Sequence, residues 1–306
     1  MQITIEFSNQ IIKSFGTHGK NWLLTLPEII DYSIQKWQLI NLLPVKGLQG
    51  NYVAYGYSNV RRQNIVLKIS VFSKQFNNEK SALLYFNGNG VNRLLDYDET
   101  KNILLLDKIG NGITLKSLFP DNDNQAVYIA SSIINKLREC NKKHLDIHQY
   151  PTLSEFVLVF NDFNHPEIAK ELIKVAKNLA QELVNKNHPN YLLHGDLHHY
   201  NIISSNDGSW VSIDPHGVIG HIEYEVGAFI RNPIPDIFDE RYDLSQIINN
   251  RFNLFAKLLN LDKNLVISYS YISTMLAIIW DVEDNGSYYK DWLKCLLVIK
   301  NIGKLQ

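Results

Sequence analysis

The tripeptide Asn206-Asp207-Gly208 lies between two short strand-like runs, Ile202–Ser205 and Trp210–Ile213. It is strong turn chemistry: Asn and Asp tolerate tight turns, and Gly supplies a positive φ without strain. The segment therefore reads as a β-hairpin. An antiparallel hairpin sets the start of its first strand beside the end of its second. Asn201 and Asp214, thirteen residues apart, then face each other across the hairpin mouth. Around this β interruption the pattern is helical, over Gln125–Asn141, His165–Asn187, Leu244–Asn260 and Lys263–Trp280. A hairpin inside a helical half is a restrictive arrangement, because it must be covered by helices to bury its apolar residues.

The first third of the chain differs. Thr25-Leu26-Pro27-Glu28 reads as a capping box that opens a helix carrying Ile29, Ile30, Ile34 and Trp37. Tyr52–Tyr57 and Ile65–Ile69 are β-rich and separated by polar Ser58–Asn64, a second hairpin signal. Asn78–Phe86 reads as helix and Asn102–Asp107 as a short strand. The two-glycine turn Asp107–Gly112 then marks a boundary. The expected fold class is α+β, with a small strand-bearing N-terminal half and a larger helical half.

Composition excludes several classes. With 306 residues, 45% hydrophobic and a formal net charge of -1, the chain is an ordinary globular protein without the basic surplus of a nucleic-acid binder. Cys140 and Cys295 are far apart and form neither a disulfide framework nor a metal pair, which suits a reducing, cytoplasmic setting. The opening residues carry Glu6 and no basic region before the apolar run, unlike a signal peptide. The longest C-terminal apolar run, Tyr271–Trp280, is short of the roughly 18 residues of a membrane span, so no membrane partner is expected.

Asp196 precedes Asn201 by five residues, on the loop that enters the first-mentioned hairpin. Asn201 and Asp214 both offer oxygen ligands, which suit Mg²⁺. A carboxylate at Asp196 can accept the hydrogen of a substrate hydroxyl. One base and two metal ligands are the layout of phosphoryl transfer, where positioning and charge neutralisation do most of the work. Two readings compete. Each residue taken singly is an ordinary turn residue or hairpin cap. Alternatively His194, Asp196, His198 and His199 form a metal cage, since GDLH resembles metallophosphoesterases. Those enzymes need further Asn-His and His-x-His clusters downstream, and the chain offers His216 and His221. His194 is expected to fix the loop by hydrogen bonds, and His198 and His199 to be partly exposed.

"HGDLHHYNI" followed by "SIDPHG" resembles the catalytic core of the aminoglycoside phosphotransferase and choline kinase superfamily. The longer run ending "IDPHGVIGHIEYEVGAFIRNP", together with "WDVEDNG" at Trp280–Gly286, resembles the aminoglycoside/hydroxyurea antibiotic-resistance kinases, which include streptomycin 6-kinases. Tyr200, His216 and His221 depart from the commoner residues of that group. The resemblance implies a two-lobed, protein-kinase-like fold. Residues 1–107 would be a nucleotide-binding lobe and 108–306 a catalytic and acceptor-binding lobe, with a hinge near 106–112. It also implies a phosphate-binding lysine on a strand, followed by a helix with a carboxylate. Lys68, in the middle of a strand, and Glu79, eleven residues later, fit this pair. Gly47 and Gly50 would form the glycine loop, and Leu106–Ile109 the segment that meets the nucleotide base. Trp280, Glu283 and Asp284 would face the acceptor. A second acidic group, Asp236, Asp239, Glu240 and Asp243, is a weaker candidate for that surface. Glu223 and Glu225 either line the acceptor site or pair with Arg231, and the structural pairing is favoured. The implied activity is phosphoryl transfer from Mg²⁺ and ATP (or GTP) to a hydroxyl of a small molecule, with streptomycin as one acceptor. An amino alcohol or sugar kinase and a regulatory pseudokinase are the alternatives. A protein kinase is disfavoured because Asp214 is followed by Pro215-His216-Gly217 and no activation segment is recognisable.

Overall fold

The computed structural model describes residues 3–45, 50–141, 149–184 and 190–306. The chain divides into two compact units, residues 1–88 with 92–109, and residues 89–91 with 110–306.

The first unit opens with α1 (Ile5–Trp37), capped by Thr4, whose Oγ1 accepts from the Phe7 N–H at 3.2 Å. The expected capping box at Thr25 is a mid-helix feature instead. Thr25 Oγ1 donates back to the Trp22 carbonyl at 3.0 Å, and Pro27 lies inside the helix. The apolar stripe Ile11, Trp22, Leu26, Ile30 and Trp37 runs through the proline, and its burial outweighs the one helical hydrogen bond that Pro27 lacks. A break in helical geometry falls at Gly16.

Five strands follow: β1 (Leu39–Pro44), β2 (Asn51–Ser58), β3 (Gln63–Ser70), β4 (Leu94–Asp98) and β5 (Ile103–Asp107), with α2 (Ser73–Phe86) after β3. They form one antiparallel sheet in the order β1-β2-β3-β5-β4. β1 and β4 were not expected. β1 is mostly exposed and lacks alternation, and β4 carries Asp96 and Asp98. Side chains alternate across a sheet. On β3, Ile65, Leu67 and Ile69 join the core under α1, with Ile103 and Leu105 of β5. Lys68 is therefore turned to the opposite face, toward α2.

The second unit contains α3 (Asp123–Cys140), α4 (Leu153–Phe156), α5 (Lys170–Leu183), β6 (Tyr191–Leu193), β7 (Ile202–Ser204), β8 (Trp210–Ser212), β9 (Val218–Gly220), α6 (Gly227–Ile230), α7 (Leu244–Leu259), α8 (Lys263–Glu283) and α9 (Tyr289–Gly303). β6 pairs with β9 and β7 with β8, both antiparallel. α9 was not foreseen, since Lys290, Asp291 and Lys294 interrupt its apolar pattern. Among the described residues, α8 is the one helix long and apolar enough to cross a membrane. Val266 to Ile279 are all buried in the protein, and Ser268, Ser270, Ser273 and Thr274 punctuate the helix. It is the central helix of the unit, contacted by α5, α6, α7 and α9.

Candidate active site

The hairpin forms as the turn chemistry dictates. Ile202 pairs with Ser212 and Ser204 with Trp210. The ladder continues one step, from the Ile213 N–H to the Asn201 carbonyl at 2.9 Å. Asn201 and Asp214 thus stand at the mouth of one hairpin, Asp214 with a positive φ of 61°. Asn201 Nδ2 donates to the Asp196 carbonyl at 3.0 Å and lies 3.4 Å from Asp196 Oδ2. With its nitrogen committed there, the Asn201 side chain directs its oxygen away from Asp196. An amide oxygen and a carboxylate are hard donors, and this pair fits Mg²⁺ better than a thiophilic metal.

The loop carrying Asp196 is fixed from beneath. The Asp196 N–H donates to His194 Nδ1 at 3.3 Å, so the proton of the neutral ring is on Nε2, which donates to the Ile213 carbonyl at 2.9 Å. Burial pushes the pKa of His194 down to about 4, which keeps that neutral form. His194 therefore joins the loop to the second strand of the hairpin, as expected of it. Gly195 adopts φ +85°, and a side chain there would press on Val218 at 2.9 Å.

Asp196 is partly open, its side chain 24% exposed. His198 Nδ1 accepts from the Tyr200 N–H at 3.2 Å, which leaves Nε2–H facing Asp196 Oδ2 at 3.3 Å. His216 Nε2 is 3.9 Å from the same oxygen, and Arg231 Nη2 is 3.8 Å from Oδ1. Burial by itself would raise this carboxyl. His198, His216 and Arg231 outweigh it and hold Asp196 well below the usual carboxylate range. It is ionised, and so an acceptor, throughout the physiological range.

Two expectations are corrected. His199 is fully buried rather than partly exposed: its ring lies 4.0 Å from that of Phe229, and its Nε2 is 3.8 Å from Asp123. Burial pushes its pKa down to about 3. The reason is that Lys116 donates its N–H to the His199 carbonyl and Phe119 packs edge-on to the ring, which draws the residue inward. Glu225 does not pair with Arg231. Its carboxyl oxygens accept the N–H groups of His194 at 2.7 Å and Gly195 at 3.1 Å. Arg231 reaches Ser273 Oγ at 2.9 Å and the Asp196 side. In the group Asp236, Asp239, Glu240 and Asp243, Asp236 pairs with Lys116, Asp239 with Arg241, and Asp243 caps α7.

In the first unit, Lys68 Nζ and Glu79 Oε2 form an ion pair at 2.7 Å, with side chains 6% and 3% exposed. Gly50 takes φ +88°, with Phe15 its nearest side-chain neighbour at 3.7 Å from a built Cβ. Gly47 lies outside the described residues. Leu106 is buried in β5 between β3 and β4, and the N–H groups of Asp107 and Lys108 are committed to the carbonyls of Arg93 and Asn64. Ile109, half-buried, is the last residue of this unit. Trp280 is 38% exposed and packs edge-on to Phe156 near the end of α8, with Glu283 and Asp284 exposed beyond it.

The sequence model of the aminoglycoside/hydroxyurea antibiotic resistance kinases matches residues 35–285, most of the chain. The chain belongs to this family. As an antibiotic resistance kinase of this kind it is a phosphotransferase acting on the alcohol group of a small molecule. It is similar to streptomycin 6-kinase of Streptomyces glaucescens, 24% identical over 282 residues that span 90% of this chain and 89% of that protein. It is also similar to hydroxyurea phosphotransferase of Kitasatospora aureofaciens, 22% identical over 302 residues, 93% and 81% of the two. Among solved structures, choline kinase LicA from Streptococcus pneumoniae superimposes with a TM-score of 0.64 at 13% identity, covering 90% of this chain and 99% of that one. The aminoglycoside phosphotransferase APH(4)-Ia gives 0.63 at 13% identity, covering 92% and 99%. The α+β fold of this family member is the protein-kinase-like fold of those enzymes.

Sequence reasoning gave Glu225 the wrong partner and did not single out Arg251. Glu225 stands next to the apolar run Val226–Ile230, and a carboxylate there must find N–H partners. Arg251 lies on the buried face of α7, and a guanidinium there must find acceptor oxygens.

Proposed function

We propose that the chain transfers the γ-phosphoryl group of ATP to a hydroxyl of an aminoglycoside of the streptomycin type. The observation that carries this reading is the union of Asp196, Asn201 and Asp214 at one hairpin mouth, with Asp196 ionised and partly open. In the proposed mechanism, Asp196 accepts the acceptor's hydroxyl proton and orients its oxygen. Asn201 and Asp214 would hold Mg²⁺, which would neutralise charge on the nucleotide's phosphates. Asn201 has a second task, since its amide nitrogen keeps the Asp196 backbone and carboxylate in place. Lys68, oriented by Glu79, binds phosphate oxygens, and Gly50 belongs to the turn that covers them. Residues 1–107 serve as the nucleotide lobe, with Leu106–Ile109 beside the base, and residues 108–306 as the catalytic and acceptor lobe. Trp280, Glu283 and Asp284 draw a cationic sugar to the acceptor side. The relatives named streptomycin 6-kinase support this acceptor class.

The test is an acceptor panel of streptomycin, other aminoglycosides, choline and a neutral sugar, each with Mg²⁺ and ATP or GTP. Product is read by mass spectrometry as the gain of one phosphoryl group. Phosphorylated streptomycin is expected. Phosphorylation of choline without any aminoglycoside would move the acceptor class, and no product from any member would overturn the reading.

A further inference from the structure

The second unit holds two buried arginines with opposite habits. Arg251 is 0% exposed and fully engaged. Its guanidinium donates to both oxygens of Asp123, at 2.6 and 2.9 Å, and to the carbonyls of Phe229, Ile230 and Asn232. Arg231 is 6% exposed and lightly engaged. Its Nη1 donates to Ser273 Oγ at 2.9 Å, its Cζ lies 5.7 Å from the centre of the Trp292 ring, and its Nε has no hydrogen-bond partner among the described residues. Its Nη2 faces Asp196 Oδ1 at 3.8 Å. A buried cation with unspent donors is costly, and the cost is tolerated where another group completes the set. Ser273 and Trp292 hold the guanidinium on two sides, so its remaining donors have a fixed direction.

We propose that Arg231 is a further catalytic residue of this kinase, its Nη2 donating a hydrogen bond to the acceptor oxygen whose proton Asp196 receives. This rests on the function proposed above. The 3.8 Å gap is too long for a direct hydrogen bond. One oxygen atom at ordinary hydrogen-bond distance from both groups spans it. Such an oxygen donates its hydrogen to Asp196 and accepts from Arg231, so two of its directions are fixed and a third is left for phosphorus. In the transfer, the acceptor O–H bond breaks and its proton passes to Asp196. The new O–P bond forms, and the P–O bond to the nucleoside diphosphate breaks with its electron pair remaining on the diphosphate. Arg231 keeps all its protons and acts by orientation. The arrangement does not depend on which hydroxyl compound supplies the oxygen, so water is held in the same way.

The experiment compares the parent with Arg231→Gln, Arg231→Lys and Ser273→Ala, using streptomycin as one acceptor and water as the other, the second read as slow ATP hydrolysis. Arg231→Gln is expected to lower kcat/KM for streptomycin roughly 100-fold and ATP hydrolysis roughly tenfold, the scale of a charge-assisted hydrogen bond. The Kd for Mg²⁺-ATP should stay within about twofold, which a general loosening of the fold would not allow. Arg231→Lys should recover part of the loss, because an ammonium still donates from that side. Turnover of Arg231→Gln within about threefold of the parent on both acceptors overturns the proposal. So does a fall in nucleotide affinity that accounts for the lost turnover, which makes the role structural. If Arg231→Gln does not fold, Ser273→Ala decides: it frees the guanidinium without removing its charge, and a several-fold fall in turnover at unchanged nucleotide Kd supports the proposal, while parental turnover overturns it. A parent that hydrolyses ATP in an Asp196-dependent way but leaves streptomycin unmodified contradicts the acceptor assignment, and the hydrolysis arm then decides Arg231 by the same tenfold criterion.

Discussion

Glu225 is 2% exposed, and both its carboxyl oxygens accept N–H groups from the loop that carries Asp196. Burial raises its pKa to about 7, and the charge of Asp196 adds to that, against the two N–H bonds that favour ionisation. The folded state therefore binds this proton more tightly than the unfolded chain, where the value is near 4.5. The stability linked to that proton is fully present below about pH 4.5 and is lost as the pH rises through about 7, up to about 3 kcal/mol in all. Glu225→Gln has no such titration, and its amide NH₂ faces one of the two N–H groups. It should be less stable than the parent by about 1–3 kcal/mol at pH 5. The gap should narrow by pH 8, read as urea midpoints at the two pH values. A gap that widens with pH contradicts the account. At this scale the sequence was informative where partners were both side chains. Lys68 and Glu79 were matched because the family resemblance implies a strand lysine followed by a helix carboxylate, and these two residues fit it by their places on a strand and a helix face. Glu225 was assigned to Arg231 because its true partners are backbone N–H groups, which leave no mark in the residue letters. His199 was misjudged for a related reason, since a polar letter in a loop does not reveal that Phe119 and Phe229 enclose it.

α3 and α7 are joined by the Asp123–Arg251 pair, in which Arg251 is also a cap for the carbonyls at the end of α6. Burial would raise the Asp123 carboxyl, and Arg251 overrides it to hold the group well below the ordinary range. Arg251→Met keeps the length of the side chain and removes every donor. It leaves a buried carboxylate and three carbonyls without their partner, so a loss of about 3–5 kcal/mol in unfolding free energy is expected from denaturant titration. A loss under about 1 kcal/mol, the range of an ordinary surface change, would show that the network is not a tie between these helices. The end of α8 gives an opposite kind of test. Glu283 and Asp284 are exposed, so Glu283→Gln with Asp284→Asn should cost little stability. On the proposed reading it raises the streptomycin KM several-fold and leaves the nucleotide KM alone. The effect should fade in high salt, since exposed charges are screened within about 8 Å at physiological ionic strength. An unchanged KM at low salt would reduce the segment to a helix terminus. Elements were legible where periodicity or turn chemistry was strong, as in α7, α8 and the β7–β8 hairpin. β1, β4 and α9 were not, because charged or exposed residues interrupt their patterns and tertiary pairing holds them in place.

At the scale of the whole molecule, the buried Lys68–Glu79 pair belongs to one compact unit, and Asp196, Asn201 and Asp214 belong to the other. The α+β class was readable from where strand-like and helix-like periods fall along the chain. The kinase-like kinship was readable from one loop and hairpin, because their chemistry ties residue type to spacing. The acceptor was not, since acceptor recognition is spread over helix ends whose letters resemble any solvated surface. Asp196→Ala removes the proposed proton acceptor and leaves the hairpin oxygens of Asn201 and Asp214 in place. The most direct measurement is nucleotide affinity and streptomycin phosphorylation on one preparation of this variant, beside the parent. The account predicts a Kd for Mg²⁺-ATP within about threefold of the parent and turnover reduced at least about 100-fold, the scale of a lost general base. Retention of more than a few per cent of parental turnover, or loss of nucleotide binding together with turnover, would contradict it.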